Sequence, residues 1–98
     1  MNITKTHEGA KLTLALEGRL DTTTAPQLEA EVKSALGGVT ELVLDFSQLE
    51  YLSSAGLRVL LAAQRRLTGG RRVVIRNANE FVRDVFAMTG FMDILDVQ

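Results

Sequence analysis

From Asp21 onward, segments with helical apolar spacing alternate with short runs of consecutive apolar residues. No other feature of the chain narrows the fold as much. Strands that alternate with helices are joined by crossovers, and such crossovers are right-handed and set the strands parallel. The first helical segment follows Asp21-Thr22-Thr23-Thr24-Ala25-Pro26, several capping residues and then a proline near the first helical position. Leu28, Val32, Ala35 and Leu36 recur at helical spacing, Glu29 and Lys33 form an outer pair four residues apart, and Gly37-Gly38 ends the helix. The second helix is expected from Ser54 to Leu67, with Leu57, Leu60, Leu61 and Leu67 on one stripe, Arg58, Arg65 and Arg66 elsewhere, and Gly69-Gly70 as its stop. The third is expected from Asn79, its cap, to Met88, with Phe81, Val82, Val85 and Phe86 as the apolar face and Gly90 as terminator.

The intervening runs read as strands. Glu41 to Phe46 carries Leu42-Val43-Leu44 with no polar alternation, as expected of a strand covered on both faces. Arg71 to Arg76 carries Val73-Val74-Ile75, a second buried strand. Phe91 to Val97 closes the chain as a short strand or irregular edge. Ahead of Asp21, Lys11 to Gly18 alternates Leu12, Leu14 and Leu16 with Lys11, Thr13 and Glu17, the period of a half-buried strand. Asn2 to Thr6 is a weaker strand, joined to it by a turn at Glu8-Gly9 in an antiparallel hairpin. The fold class is therefore α/β, with a mixed sheet, alternating helices and the order β-β-α-β-α-β-α-β. With 98 residues, 46% of them apolar, one domain over 1–98 with one modest core is expected.

Several function classes drop out. The chain has no cysteine, which excludes disulfides, zinc-thiolate sites and cysteine catalysis. A net charge of −1 carries no polyanion-binding bias, so no nucleic-acid partner is expected. No apolar run approaches the roughly 20 residues of a spanning helix, so no membrane insertion is expected. The polar start, Met1 to Gly9, has neither the basic nor the apolar part of a secretory signal, and a cytoplasmic protein is expected. His7 is the lone histidine, at a strand end, and there is no Gly-x-Ser-x-Gly elbow to make a serine nucleophile. The glycine pairs lack the Walker A lysine and the dinucleotide spacing, and the carboxylates are dispersed. No enzyme, metal or cofactor is expected. Arg65, Arg66, Arg71 and Arg72 read as a solvated face near a helix C-terminus, and Phe81, Phe86, Met88 and Phe91 as core and rim.

What remains is Tyr51-Leu52-Ser53-Ser54-Ala55-Gly56-Leu57. Two hydroxyls followed by small residues make a sterically open helix start. A serine there caps the first turn through its oxygen. The same free N–H groups and the positive end of the helix dipole favour an anion such as phosphate. Ser54 is thus either a structural cap or a switchable phosphoserine.

The stretch Leu42 to Leu61, Leu-Val-Leu-Asp-Phe-Ser-Gln-Leu-Glu-Tyr-Leu-Ser-Ser-Ala-Gly-Leu-Arg-Val-Leu-Leu, resembles the signature of STAS domains, in particular the bacterial anti-sigma factor antagonists. Gly18-Arg19-Leu20-Asp21 followed by Thr22 to Ala25 is similar to that family's element before the first helix, and Phe86-Ala87-Met88-Thr89-Gly90-Phe91 to its close. The resemblance implies a protein-binding switch. The unphosphorylated domain binds an anti-sigma factor serine kinase and releases a sigma factor; phosphorylation ends the binding, and a serine phosphatase resets it. It places the phosphoacceptor on Ser54 and puts Asp21, Ser53, Ala55, Gly56 and Arg58 near it or in the partner interface. A monomer is expected when free. Two residues depart from the family pattern: Ser53 stands where Asp is usual, and Arg58 replaces a common glycine. Arg58, one turn from Ser54, either pairs with a phosphate or faces solvent. The alternative is a non-catalytic adaptor subunit of a lipid-trafficking ABC transporter or signalling complex, with Ser54 a plain cap. Nucleotide binding by the same helix start is a third reading.

Overall fold

The computed structural model describes residues 1–35, 37–67 and 69–98; the expected contribution of Leu36 to the first helix lies outside them. The elements in chain order are β1 (Asn2–Glu8), β2 (Lys11–Leu20), α1 (Ala25–Ala35), β3 (Glu41–Leu52), α2 (Ser54–Arg66), β4 (Val74–Arg76), α3 (Glu80–Thr89), a 3₁₀ turn (Phe91–Asp93) and β5 (Asp96–Val97). The order is the one the alternation predicts. The five strands lie side by side in chain order, β1 antiparallel to β2 and all later pairs parallel.

Sequential parallel strands joined by right-handed crossovers put every connecting helix on the same face of the sheet. The core agrees. Leu12, Leu14 and Leu16 of β2, Leu42, Leu44 and Phe46 of β3 and Ile75 of β4 form one cluster with side chains of all three helices. Val43 is 2% exposed yet stands outside this cluster, on the opposite face. The second face of β3 is thus buried at Val43 alone, while Glu41 and Ser47 are exposed and no helix among the described residues covers that face. Val43 is flanked there by its neighbours across the ladders, Thr13 and Val74.

β3 runs six residues beyond the expected end at Phe46. The polar Ser47-Gln48 step reads as a loop in sequence. In the sheet, the register against β2 shifts twice, from Ala15↔Asp45 to Glu17↔Gln48 and from Gly18↔Leu49 to Arg19↔Tyr51. Each shift accommodates one extra residue in β3, a bulge that re-aims the side chains after it. Phe46, Leu49 and Leu52 all become buried at a spacing of three, which no period-two pattern reveals.

β4 starts at Val74, later than the expected Arg71, because the Gln64 side chain takes over the preceding backbone. Its Nε2 donates to the Arg71 carbonyl at 2.7 Å, and its Oε1 accepts from the Val73 N–H at 2.7 Å. Helix α3 has the expected ends: Asn79 Oδ1 accepts from the Val82 N–H at 2.8 Å, and Gly90 closes it at φ 80°. Only glycine adopts that left-handed backbone without strain. Phe91 to Val97 is a 3₁₀ turn and then a two-residue edge strand. Two further expectations are corrected on α3. Phe81 is 47% exposed and Met88 81% exposed, so neither belongs to the core face, which Val82 and Phe86 supply.

Candidate functional site

The carboxyl ends of β2 and β3 meet the head of α2. Leu20 pairs with Leu52, and the Ser53 N–H extends the ladder by donating to the Leu20 carbonyl at 2.9 Å. Ser53 keeps extended backbone angles (φ −101°, ψ 175°), and its carbonyl accepts from the Leu57 N–H at 3.1 Å. Ser53 therefore occupies the N-cap position and Ser54 is the first helical residue, which corrects the expectation of Ser54 as the cap. The Ser53 side chain makes no capping bond, and its Oγ is buried without a partner among the described residues. No side-chain oxygen among the described residues engages the first-turn N–H groups, so the positive end of α2 carries no side-chain cap there. Ser54 is exposed there.

Gly56 explains how the head of α2 comes so close to the strands. A Cβ at this position would stand 2.6 Å from Leu52 Cδ1 and 2.8 Å from Leu20 Cγ. The helix rests its second residue after Ser54 directly on the two strand-end leucines. Ala55 beside it is half-buried. The glycine after Ala55 thus serves the packing of α2 on the strand ends.

Asp21 begins the next turn after Leu20. Its Oδ1 accepts from the Thr23 N–H (3.0 Å) and the Thr24 N–H (3.1 Å), while its own N–H donates to Thr24 Oγ1 at 2.9 Å. This reciprocal arrangement is a capping box one turn ahead of α1. The Thr24 N–H foremost, then the Thr23 N–H, the Thr24 hydroxyl and Arg19, hold the Asp21 carboxyl below the ordinary aspartate range against an opposing effect of burial. Asp21 is a neighbour of the Ser53-Ser54 turn through the backbone. Its carboxylate is directed to its own turn and to Arg19, whose Nε lies 3.7 Å from Oδ2.

Two surfaces flank this head. On one side Arg58 and Val59 of α2 face Pro26 and Glu29 of α1 across a shallow groove of about 250 Å³. Arg58 is exposed and makes no ion pair among the described residues. On the other side the Arg19 guanidinium lies 4.2 Å from the centroid of the Tyr51 ring, and Tyr51 stacks on Phe81 at 5.5 Å with 19° between planes. Sequence reasoning missed this stack. Arg19 and Tyr51 oppose each other only because of the second bulge, and no local pattern announces it.

The whole is an α/β domain with its helices on one face and an exposed hydroxyl at the strand-end head of one helix. The family profile described as "Mlab, STAS domain" matches residues 3–96. The chain belongs to the STAS domain family. It is 38% identical over 100 residues to "Putative anti-sigma factor antagonist BtrV" of Bordetella bronchiseptica, covering 99% of this chain and 85% of that one. Among solved structures it is similar to an anti-sigma factor antagonist from Mycobacterium paratuberculosis, with TM-score 0.88 and 23% identity over 98% of this chain and 83% of that one. It is also similar to the Bacillus cell fate determinant SpoIIAA in its phosphorylated form, with TM-score 0.76 and 23% identity over 99% and 91% of the two chains. At these identities the two structures establish the fold.

Proposed function

We propose that this chain is an anti-sigma factor antagonist that acts as a partner switch. The family match over residues 3–96 and the similarity to an anti-sigma factor antagonist support reading 1–98 as one regulatory binding domain rather than an enzyme. Unphosphorylated, it binds an anti-sigma factor serine kinase in the cytoplasm and frees a sigma factor. The kinase then transfers the γ-phosphoryl group of ATP to Ser54 Oγ, and the complex parts until a serine phosphatase removes the phosphate. The free domain is a monomer.

The observation that carries this reading is the exposed Ser54 hydroxyl at an uncapped helix start. A phosphate brings about −1.5 to −2 charges and three acceptor oxygens. The free N–H groups of α2 accommodate it on its own domain. A partner docked over the same head meets an added charge that its interface does not compensate, and such a charge costs several kcal/mol. That suffices to move a complex from mostly bound to mostly free.

Peptide mass spectrometry tests the reading. The protein is incubated with ATP, magnesium and lysate of its source organism, beside a Ser54→Ala control. One phosphate on Ser54, absent from the control, is the expected result. No phosphate, with a positive-control substrate labelled in the same lysate, overturns the switch and leaves the adaptor reading. One observation favours that second reading: Ser53, not an acidic residue, stands in the cap beside Ser54. In that case Ser54→Ala is neutral, and the chain co-purifies with an ATPase subunit.

A further inference from the structure

The large apolar side chains left exposed among the described residues are Phe81, Met88 and Met92, at 47%, 81% and 38%. All three lie on α3 and the turn that follows it. Phe81 and Met88 are seven residues apart, two turns on one face of a helix. Val82 and Phe86 already fill the inward face of α3, so this outward stripe is surplus to the core. The stripe is joined to the Ser54 head by an unbroken series of contacts. Phe81 stacks on Tyr51, Tyr51 lies under the Arg19 guanidinium, and Arg19 pairs with Asp21. Asp21 follows Leu20, whose carbonyl holds the Ser53 N–H.

We infer that the Arg19–Tyr51–Phe81 stack and Met88 form a second anchor for the same kinase that docks on the Ser54 head. The inference rests on the partner-switch reading and extends its surface from α2 to α3. Tyr and Arg are the residue types that dominate binding energy at interfaces, and a stacked ring loses little freedom when a partner covers it. The Arg19–Asp21 separation of 3.7 Å is longer than a direct charge-assisted hydrogen bond, so the guanidinium keeps donors for a carboxylate of the partner. The matching surface on the kinase is an apolar side chain that sits against Phe81 and Met88, next to an acidic residue facing Arg19. The phosphate at Ser54 disturbs one anchor and leaves the other in place.

The test uses the purified serine kinase that labels Ser54 in the mass-spectrometry experiment, held with a non-hydrolysable ATP analogue so that no transfer occurs. Affinity is measured for wild type, Ser54→Asp, Phe81→Ala and Met88→Ser, with thermal melts to establish folding. Met88→Ser removes an almost fully exposed side chain and so separates binding from stability. The expected results are a loss of about tenfold or more for Phe81→Ala, the range of an interface anchor, and a smaller loss for Met88→Ser. The Met88 methyl resonance shifts or broadens when kinase is added, a response that a purely structural role for the stripe does not produce. If Ser54→Asp weakens the complex while both α3 variants bind as wild type and the Met88 methyl stays unmoved, this second anchor is refuted and the switch stands. If wild type binds no such kinase, the switch and the anchor fall together.

Discussion

Gly56 and Ser53 both sit at the head of α2, and elementary helix energetics misreads each of them. Alanine is favoured over glycine in a helix interior by about 1 kcal/mol. By that rule Gly56→Ala stabilises. The added Cβ, however, lies 2.8 Å from Leu20 Cγ, a branch atom that cannot swing aside as a chain end does. Overpacking of this kind costs about 1–3 kcal/mol. The steric effect wins, and Gly56→Ala is expected to lower stability by about 1 kcal/mol net in urea unfolding. Ser53 reverses the usual cap rule. A serine that caps costs about 1 kcal/mol when replaced by alanine. Ser53 Oγ is buried and makes no bond among the described residues, so its removal relieves an unsatisfied group instead. Ser53→Ala is expected to change stability by less than about 0.5 kcal/mol, or to raise it. A loss of a full cap's worth in the same unfolding assay shows that the hydroxyl engages the first turn after all.

Helices α2 and α3 were legible from their apolar stripes; on α2 the cap falls on Ser53 and the helix closes at Leu67, ahead of Gly69-Gly70, whereas on α3 stripe, cap and glycine stop agree. The Asn79 cap and the Gly90 stop fall where the sequence places them. The second half of β3 was not legible, because two bulges break the period that identifies a strand. The candidate site was legible as a short motif, Ser53 to Leu57. The Arg19–Tyr51–Phe81 stack was not, since it joins β2, β3 and α3 through a register that only the folded sheet defines. Asn79 connects two of these elements. Its Oδ1 caps α3, and its Nδ2 donates to the Leu49 carbonyl of β3 at 3.1 Å. Asn79→Ala removes both bonds, so the cost belongs at the upper end of the capping range, about 1.5–2 kcal/mol in chemical unfolding. Asp45 performs a similar tie from β3. It accepts from the Ser47 N–H at 3.0 Å and from the Asn77 amide at 3.1 Å. The Ser47 N–H foremost, then Asn77, the Ser47 hydroxyl and Arg76, hold its carboxyl below the ordinary range despite partial burial. A carboxyl lowered by folding contributes stability that is complete above the unfolded value of about 3.9 and is lost as pH falls through the folded one. Unfolding midpoints should therefore fall on acidification below about pH 4, with a smaller acid slope in Asp45→Asn.

At the scale of the whole molecule, the helices among the described residues cover one face of the sheet, and the exposed hydroxyl lies at its carboxyl edge, outside the core. Ser54 contributes nothing to the cluster that joins the sheet to its helices. A charge placed there therefore has no packed element to displace. At the first position of α2 a negative charge also meets the favourable end of the helix dipole, worth about 0.3–1 kcal/mol. The physics separates two quantities that a conformational switch links. If the domain signalled by rearranging, Ser54→Asp would shift its melting temperature downward or alter its exchange pattern. If it signals by charge and bulk at the surface, stability stays level or rises while partner affinity falls. For a domain of this size 1 kcal/mol corresponds to about 4–8 °C, so the dipole gain predicts a melting temperature unchanged or raised by a few degrees. Calorimetry on Ser54→Asp beside wild type, with amide exchange along β3 and α2, checks this. A drop of several degrees, with loss of protection in α2, would mean that the proposed phosphorylation acts on the fold itself and that the surface mechanism is wrong.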